Sequence, residues 1–331
     1  MTNFHTEFRA KSLVKKLSKN GSIHVVMLEG GMSAEREVSL LSGIGVGKAL
    51  VENGYRVTSV DMGLDFASVL LDLNADVVFN CLHGTYGEDG CVPGTLDILR
   101  IPYTNSGVLA SALAFNKQKS REIFTSNAIK CAEGKYIKKI DNIKVDPLPR
   151  PYVIKPLSQG SSLGVEIIFP EDNFNFAYYN FEYGDIIVEK YIKGRELQIA
   201  VLNGKALDVL EIKLLKEKKF YDYETKYTAG FAEHILPAQI DRDVYKKALE
   251  ISERAFHAIG CRGIARVEII YNEEEKEHYI LELNTHPGFT PISICPEIAA
   301  YNGIGFNELV KKLVEAARFD GDEKHQSLKY V

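Results

Sequence analysis

The chain has 331 residues, 45% of them apolar and 26% charged, with a formal net charge of −5. That length predicts two or three lobes of a globular protein, and the mild acidity gives no electrostatic basis for nucleic-acid binding. Apolar runs are too short to span a bilayer. The five cysteines (Cys81, Cys91, Cys131, Cys261, Cys295) form no CxxC pair and read as reduced thiols of a cytosolic protein.

Residues 1–20 interleave Phe4, Phe8, Leu13 and Leu17 with Arg9, Lys11, Lys15, Lys16 and Lys19. No continuous apolar stretch marks a signal peptide, so stable membrane insertion is not expected. The pattern predicts an N-terminal helix packed on the first domain, with contact to a membrane surface as the second reading. Residues 23–28 are a buried-type strand leading into Gly30-Gly31, a tight turn. Ser33 is then expected as an N-cap, with Glu35 and Glu37 in the first helical turn. This strand–turn–helix opens a doubly wound α/β unit but lacks GxGxxG, which argues against a dehydrogenase. Glu35 has two readings, a favourable charge at a helix N-terminus or a ligand carboxylate at the strand's carboxyl end.

Strands follow at 55–60 and 76–80, the second running into a loop with His83, Gly84, Gly87, Glu88, Asp89 and Gly90. Such a loop at a strand's carboxyl end reads as functional. Residues 101–104 are expected as a short fourth strand, and Ser106 as the cap of a helix over 107–113. A helix from Asn116 carries Lys117. After strand-like 134–138 and a Pro-rich joint at 146–151, a strand at 152–155 ends in Lys155. Gln159-Gly160-Ser161-Ser162-Leu163-Gly164 is a small, hydroxyl-rich loop whose N–H groups suit phosphate oxygens, although it is no Walker A loop. Residues 185–192 form a strand ending in Glu189, Lys190 and Tyr191, a segment able to give backbone groups to an adenine edge and a carboxylate to ribose hydroxyls. Asn203-Gly204 signals a type I′ hairpin. Residues 220–227 lack apolar periodicity and read as a loop of the kind that covers active sites. Helices are expected at 241–259 and 306–318.

Two strands close the pattern. Residues 263–271 carry Arg266 and Glu268 on one face, and 279–284 carry Glu282 and Asn284 on one face. Paired through the charged tip at 272–278, they place all four side chains on one surface. Oxygen donors of this kind suit Mg2+, and an arginine beside them would face an anion. Phosphoryl transfer uses that combination. Pro287-Gly288 then ends the second strand in a turn that presents backbone N–H groups.

In this order the stretches 30–39, 82–90, 155–164, Glu189-Lys190, Lys226-Tyr227 and 266–293 resemble D-alanine–D-alanine ligases of the ATP-grasp superfamily, over nearly the whole chain after residue 22. The resemblance implies a mixed α/β and α+β protein: a Rossmann-like parallel-sheet domain followed by a two-lobed ATP-grasp fold. After an N-terminal extension (1–21) would come the α/β domain (22–115), a central lid domain (116–197) and a C-terminal domain with the metal site (198–331). It implies ATP held by Lys117, Lys155, Ser161, Ser162, Glu189, Lys190, Ile192 and Glu196. Two Mg2+ ions, with Mn2+ as an alternative, would sit on Glu268, Glu282 and Asn284, the first standing where such families most often carry Asp.

The implied reaction joins two D-alanines through an acyl phosphate, a cytoplasmic step toward peptidoglycan. Glu35, helped by His83, would anchor the first ammonium. Arg266 and the Gly288 N–H would stabilise the oxyanion, Lys226 and Ser293 would hold the second carboxylate, and Ser161, Tyr227 and Glu35 would link to close a loop. Relatives that make a D-alanyl-D-lactate ester tend to carry Phe at 227, so Tyr227 points to the amine acceptor. A homodimer is the implied assembly. Two rivals stand beside this reading: a ligase of the same architecture for other amino acids, and a nucleotide-binding paralogue without turnover.

Overall fold

The computed structural model describes residues 11–18, 21–141, 143–215 and 232–321. In the first lobe, β1 (Leu13–Lys16), β2 (His24–Glu29), β3 (Arg56–Asp61) and β4 (Val77–Asn80) form a sheet in the order β1-β3-β2-β4. The pairs β2–β3 and β2–β4 are parallel, and β1 lies antiparallel along the edge. Residues 13–16 therefore form a strand where a helix was expected. The free edge of β3 accepts them in register from Leu13–Asp61 to Lys16–Thr58, and backbone pairing overrides the weak helical pattern. The rest of the N-terminal reading, at residues 1–10 and 19–20, lies outside the described residues.

One face of this sheet packs on α2 (Phe66–Leu73) and α3 (Cys91–Leu99) through Val26, Leu28, Leu70 and Leu96. The other packs on α1 (Arg36–Glu52). Ser33 is not the N-cap; Glu35 occupies that position without a capping side-chain bond, while Ser33 Oγ accepts from the Glu35 N–H at 3.2 Å. The fourth strand shrinks to Tyr103, which bridges Val78 and Arg318, because Pro102 beside it lacks an N–H. Gly107, not Ser106, occupies the N-cap of α4 (Val108–Phe115); the Ser106 hydroxyl donates instead to the Arg262 carbonyl. The following helix α5 (Lys117–Ser126) is capped by Asn116, whose side chain accepts from the Lys119 N–H.

The second lobe is an antiparallel sheet, β5-β8-β6-β7, of β5 (Gly134–Ile137), β6 (Tyr152–Pro156), β7 (Glu166–Ile168) and β8 (Ile186–Lys190). The third is a five-stranded sheet, β11-β10-β9-β12-β13, of β9 (Arg195–Leu202), β10 (Lys205–Leu214), β11 (Ala232–Ile235), β12 (Ile264–Asn272) and β13 (Glu277–Asn284). Asn203 and Gly204 at the β9–β10 turn both have positive φ, as a type I′ turn requires. One side of this sheet is covered by α6 (Arg242–Ile259), α4 and α5 through Phe124, Phe256 and Val267. The other side, with α7 (Ile294–Tyr301) and α8 (Phe306–Glu315), shares a single core with the first lobe through Val46, Phe79, Phe289 and Leu309.

The entry to β9 is tight. A Cβ on Gly194 would stand 2.2 Å from the Tyr271 carbonyl oxygen, and backbone cannot yield as a side chain does. Gly194→Ala is expected to destabilise the fold by about 1–3 kcal/mol, read from a urea denaturation midpoint; an unchanged midpoint would show that β9 has room to shift.

Candidate active site

The site begins with the β12–β13 register. Arg266 lies opposite Asn284 and Glu268 opposite Glu282, so the four side chains share one face. The register shifts after Glu268, where a bulge ends the regular alternation. The Arg266 guanidinium hydrogen-bonds Glu268 Oε1 through Nη2 and again through Nε at 3.1 Å, and Nη2 lies 3.8 Å from Glu282. Burial works against its charge, but the two carboxylates outweigh burial and bind its proton more firmly than usual. Among the described residues no three His, Cys, Asp or Glu side chains converge as a metal site. Glu268, Glu282 and Asn284 share one sheet face, the Asn284 Oδ1 also accepting from the His286 N–H at 2.6 Å, and an all-oxygen set of this kind suits a hard divalent cation.

A cavity of about 370 Å³ lies between the second and third sheets. Lys117, Lys155, Ser162, Glu189, Lys190, Ile192, Glu196, Glu268 and Glu282 line it, among apolar Val153, Val165, Ile167 and Ile270. Lys155 Nζ lies 2.7 Å from Glu189, which also takes a hydrogen bond from Arg121. Burial alone would neutralise this group. The two cations outweigh it and hold the Glu189 carboxyl below its ordinary value, while Glu189 outweighs burial at Lys155 and raises the ammonium. Lys117 differs: burial lowers its pKa despite Glu282 at 4.0 Å, and its ammonium donates to the Gln159 carbonyl at 2.6 Å. The 159–164 loop holds Ser161 and Ser162 at φ of 52° and 58°, a conformation that costs non-glycine residues and collects at functional sites.

A second cavity, of about 630 Å³, is lined by Glu35, His83, Glu88, Ser161, Arg266, Glu268, Asn284, Gly288 and Ser293. Glu268 thus lines both substrate-sized spaces, and Arg266, which lines the second, is hydrogen-bonded to it. Ser161 donates a hydrogen bond to Glu35, joining the second lobe to the first. Ser293 Oγ accepts from the Thr290 N–H at 3.0 Å, which shapes the turn that follows Gly288. His286 is buried behind this wall; burial, aided by His83, pushes it down to about 3, so it is neutral. Lys226, Tyr227 and the 220–227 loop lie outside the described residues. Sequence reading missed Arg121, one charge among many on a polar helix, and any role for Ser42, a small residue on a buried helix face.

A parallel-sheet lobe followed by two antiparallel sheets clasping a lysine- and glutamate-lined cavity defines an ATP-grasp enzyme. Two family profiles match the chain, described as "D-ala D-ala ligase C-terminus" over residues 121–315 and "D-ala D-ala ligase N-terminus" over residues 65–106. Proteins named D-alanine–D-alanine ligase from Rickettsia bellii and Rickettsia felis are each 59% identical over 321 residues, spanning 97% of this chain and all of theirs. A crystal structure of D-alanine–D-alanine ligase from Bacillus anthracis complexed with ATP superposes with a TM-score of 0.76 at 26% identity, covering 89% of this chain and 97% of that one. The chain belongs to the D-alanine–D-alanine ligase family.

The Glu189 cluster has a pH signature. A carboxyl held below its unfolded value stabilises the fold fully above pH 4.5, and that contribution is lost as pH falls through the folded value. Glu189→Gln leaves Lys155 and Arg121 without their anion and is expected to cost about 3–5 kcal/mol at neutral pH. It should also flatten the acid limb of stability against pH, measured by denaturant titration; an unchanged acid limb would remove Glu189 as its source.

Proposed function

We propose that this chain catalyses the ATP-dependent joining of two D-alanines by way of an acyl phosphate. The observation that carries the reading is the shared wall: Glu268 lines both cavities, with Arg266 hydrogen-bonded to it on the side of the second, so a phosphoryl group and a carboxylate bound on either side meet there. A carboxylate is a poor electrophile until one of its oxygens becomes a leaving group. An oxygen of the first D-alanine carboxylate attacks the γ-phosphorus of ATP, and ADP departs. The amine of the second D-alanine attacks the acyl carbon, and the tetrahedral species collapses to the dipeptide, phosphate and a released proton.

The chain's own groups divide this work. Lys117 and Lys155 steady the phosphates at the inner end of the first cavity, with Ser161 and Ser162 at its loop. Lys190 and Ile192 border the adenine, and because Glu189 is committed to two cations, the ribose contact falls to Glu196. Glu35 takes the first ammonium, with His83 behind it in the second cavity. Arg266 and the Gly288 N–H stabilise the oxyanion, and Ser293 with Lys226 receives the second carboxylate, Tyr227 completing the link through Ser161 to Glu35. Glu268, Glu282 and Asn284 would hold Mg2+ or Mn2+, two ions in number, which when bound neutralises phosphate charge. Glu268 supplies the carboxylate that Asp supplies in most such families.

The five cysteines are free thiols, and among the described residues no helix is long and apolar enough to cross a membrane. Free thiols are in keeping with a cytoplasmic enzyme, and the dipeptide product with a role in peptidoglycan synthesis. A homodimer is the proposed assembly, two-fold dimers being the commonest oligomers.

Phosphate release from ATP and Mg2+ should depend on D-alanine, with D-alanyl-D-alanine identified by mass spectrometry. Release driven only by another amino acid would move the substrate, and ATP binding without release would point to a scaffold lacking turnover. Arg266→Ala should lower kcat by about 10²–10³ with little change in ATP affinity; equal losses in both would count against the oxyanion role.

A further inference from the structure

Ser42 lies on the buried face of α1, fully shielded from solvent, and is not one of the residues assigned above. Its Oγ accepts from the Phe289 N–H at 3.3 Å and lies 3.2 Å from His83 Nε2. The other ring nitrogen of His83, Nδ1, lies 3.2 Å from Glu88 Oε1. We infer that Ser42 is a positioning residue: its hydroxyl fixes His83 as the neutral Nδ1–H tautomer and ties the first lobe to the Gly288–Phe289 turn.

Two constraints converge on that tautomer. An ionised carboxylate only accepts, so the contact with Glu88 requires a proton on Nδ1. A neutral imidazole then has its lone pair on Nε2, which needs a donor. Ser42 already accepts from Phe289, and its single hydroxyl proton has His83 Nε2 within reach. The opposite assignment, with a proton on Nε2, would leave the Ser42 hydroxyl proton buried without an acceptor, at a cost proteins generally avoid. Hydrogen bonds therefore run from Phe289 N–H to Ser42, from Ser42 O–H to His83, and from His83 Nδ1–H to Glu88.

Two consequences follow for the reaction. Both nitrogens of His83 are committed, so His83 serves the first substrate through Glu88, which also lines the second cavity, and not by direct contact. The turn bearing Gly288 is held from the first lobe by the same hydroxyl that orients this pair. A parallel tie lies beside it: Asn80 Nδ2 donates to the Gly87 carbonyl at 3.2 Å and lies 3.0 Å from His286 Nε2. The two ties clamp the 83–88 loop against the 285–289 turn. The clamp's effect on rate rests on the oxyanion reading of Gly288, whereas the tautomer does not.

The experiment therefore has two arms. In 15N-histidine spectra of the intact enzyme, His83 Nε2 should carry the resonance of an unprotonated, hydrogen-bonded nitrogen, and this resonance should move in Ser42→Ala. A protonated Nε2 in the unmodified enzyme overturns the inference, whatever the enzyme's substrate proves to be. In D-alanine and ATP kinetics, Ser42→Ala should lower kcat by about 10- to 100-fold, as a small misplacement of reacting groups does, with KM for ATP unchanged. A folded Ser42→Ala enzyme with unaltered kcat overturns the positioning role. If the variant does not fold, the spectrum of the unmodified enzyme still decides the tautomer. Failure of the unmodified enzyme to form D-alanyl-D-alanine would fault the proposed reaction and leave the tautomer standing.

Discussion

Two carboxylates side by side on one sheet face repel each other and lose hydration, and the Arg266 guanidinium between Glu268 and Glu282 is what lets them share that face. The arrangement requires a particular register of β12 against β13. A slip of one residue would turn every side chain of one strand to the other face, sending the polar set into the apolar core around Val267 and Leu283. Apolar burial on the far side therefore enforces the polar geometry on the near side. Chemistry and stability depend on the same pairing.

A second constraint is the core shared by the first and third lobes. Phe289, directly after Gly288, packs between Phe79 at the end of β4 and Phe306 at the start of α8, with ring centroids 5.8 and 5.6 Å away. Each such pair contributes roughly 0.5–1.5 kcal/mol beyond its buried area. Such contacts resist relative movement of the two lobes, so the wall of the second cavity is preorganised. The second lobe is tied differently, by the polar contact of Ser161 with Glu35 and by Lys117 reaching Gln159. Its apolar core is its own, separate from the one the other two lobes share, so this is the lobe better suited to move as a nucleotide enters.

Much of this was legible in the chain itself. Alternation placed Arg266 with Glu268 and Glu282 with Asn284, and the charged hairpin tip implied that the two pairs face one another, as the register places them. Asn203-Gly204 announced its turn because few residues tolerate positive φ twice in succession. The misreadings have two causes. Residues 13–16, Ser33 and Ser106 take their structure from partners distant in the chain, namely β3, the His83 carbonyl and Arg262, whereas Pro102, lacking an N–H, cuts the fourth strand down to Tyr103. Arg121 and Ser42 were missed for a related reason: nothing local separates a functional arginine from a solvated one, or a serine that bridges two lobes from one that simply fits a helix.

The charge balance of the first cavity shows why it suits a polyphosphate. Lys117 and Lys155 line it beside Glu189, Glu268 and Glu282, while Arg121 and Arg266, outside its lining, pair with Glu189 and Glu268. The pairs are not equivalent. Glu189 is saturated by two cations, and Glu268 is engaged by Arg266. Lys117 lies 4.0 Å from Glu282, and burial lowers its pKa. An ammonium in that state gains most from a new anion, because a phosphate would restore the charge stabilisation that desolvation has removed. The same anion would burden Glu282 and Glu268, and a divalent cation would relieve that repulsion. Nucleotide and metal are therefore expected to bind with mutual reinforcement at this wall, each offsetting the electrostatic cost of the other.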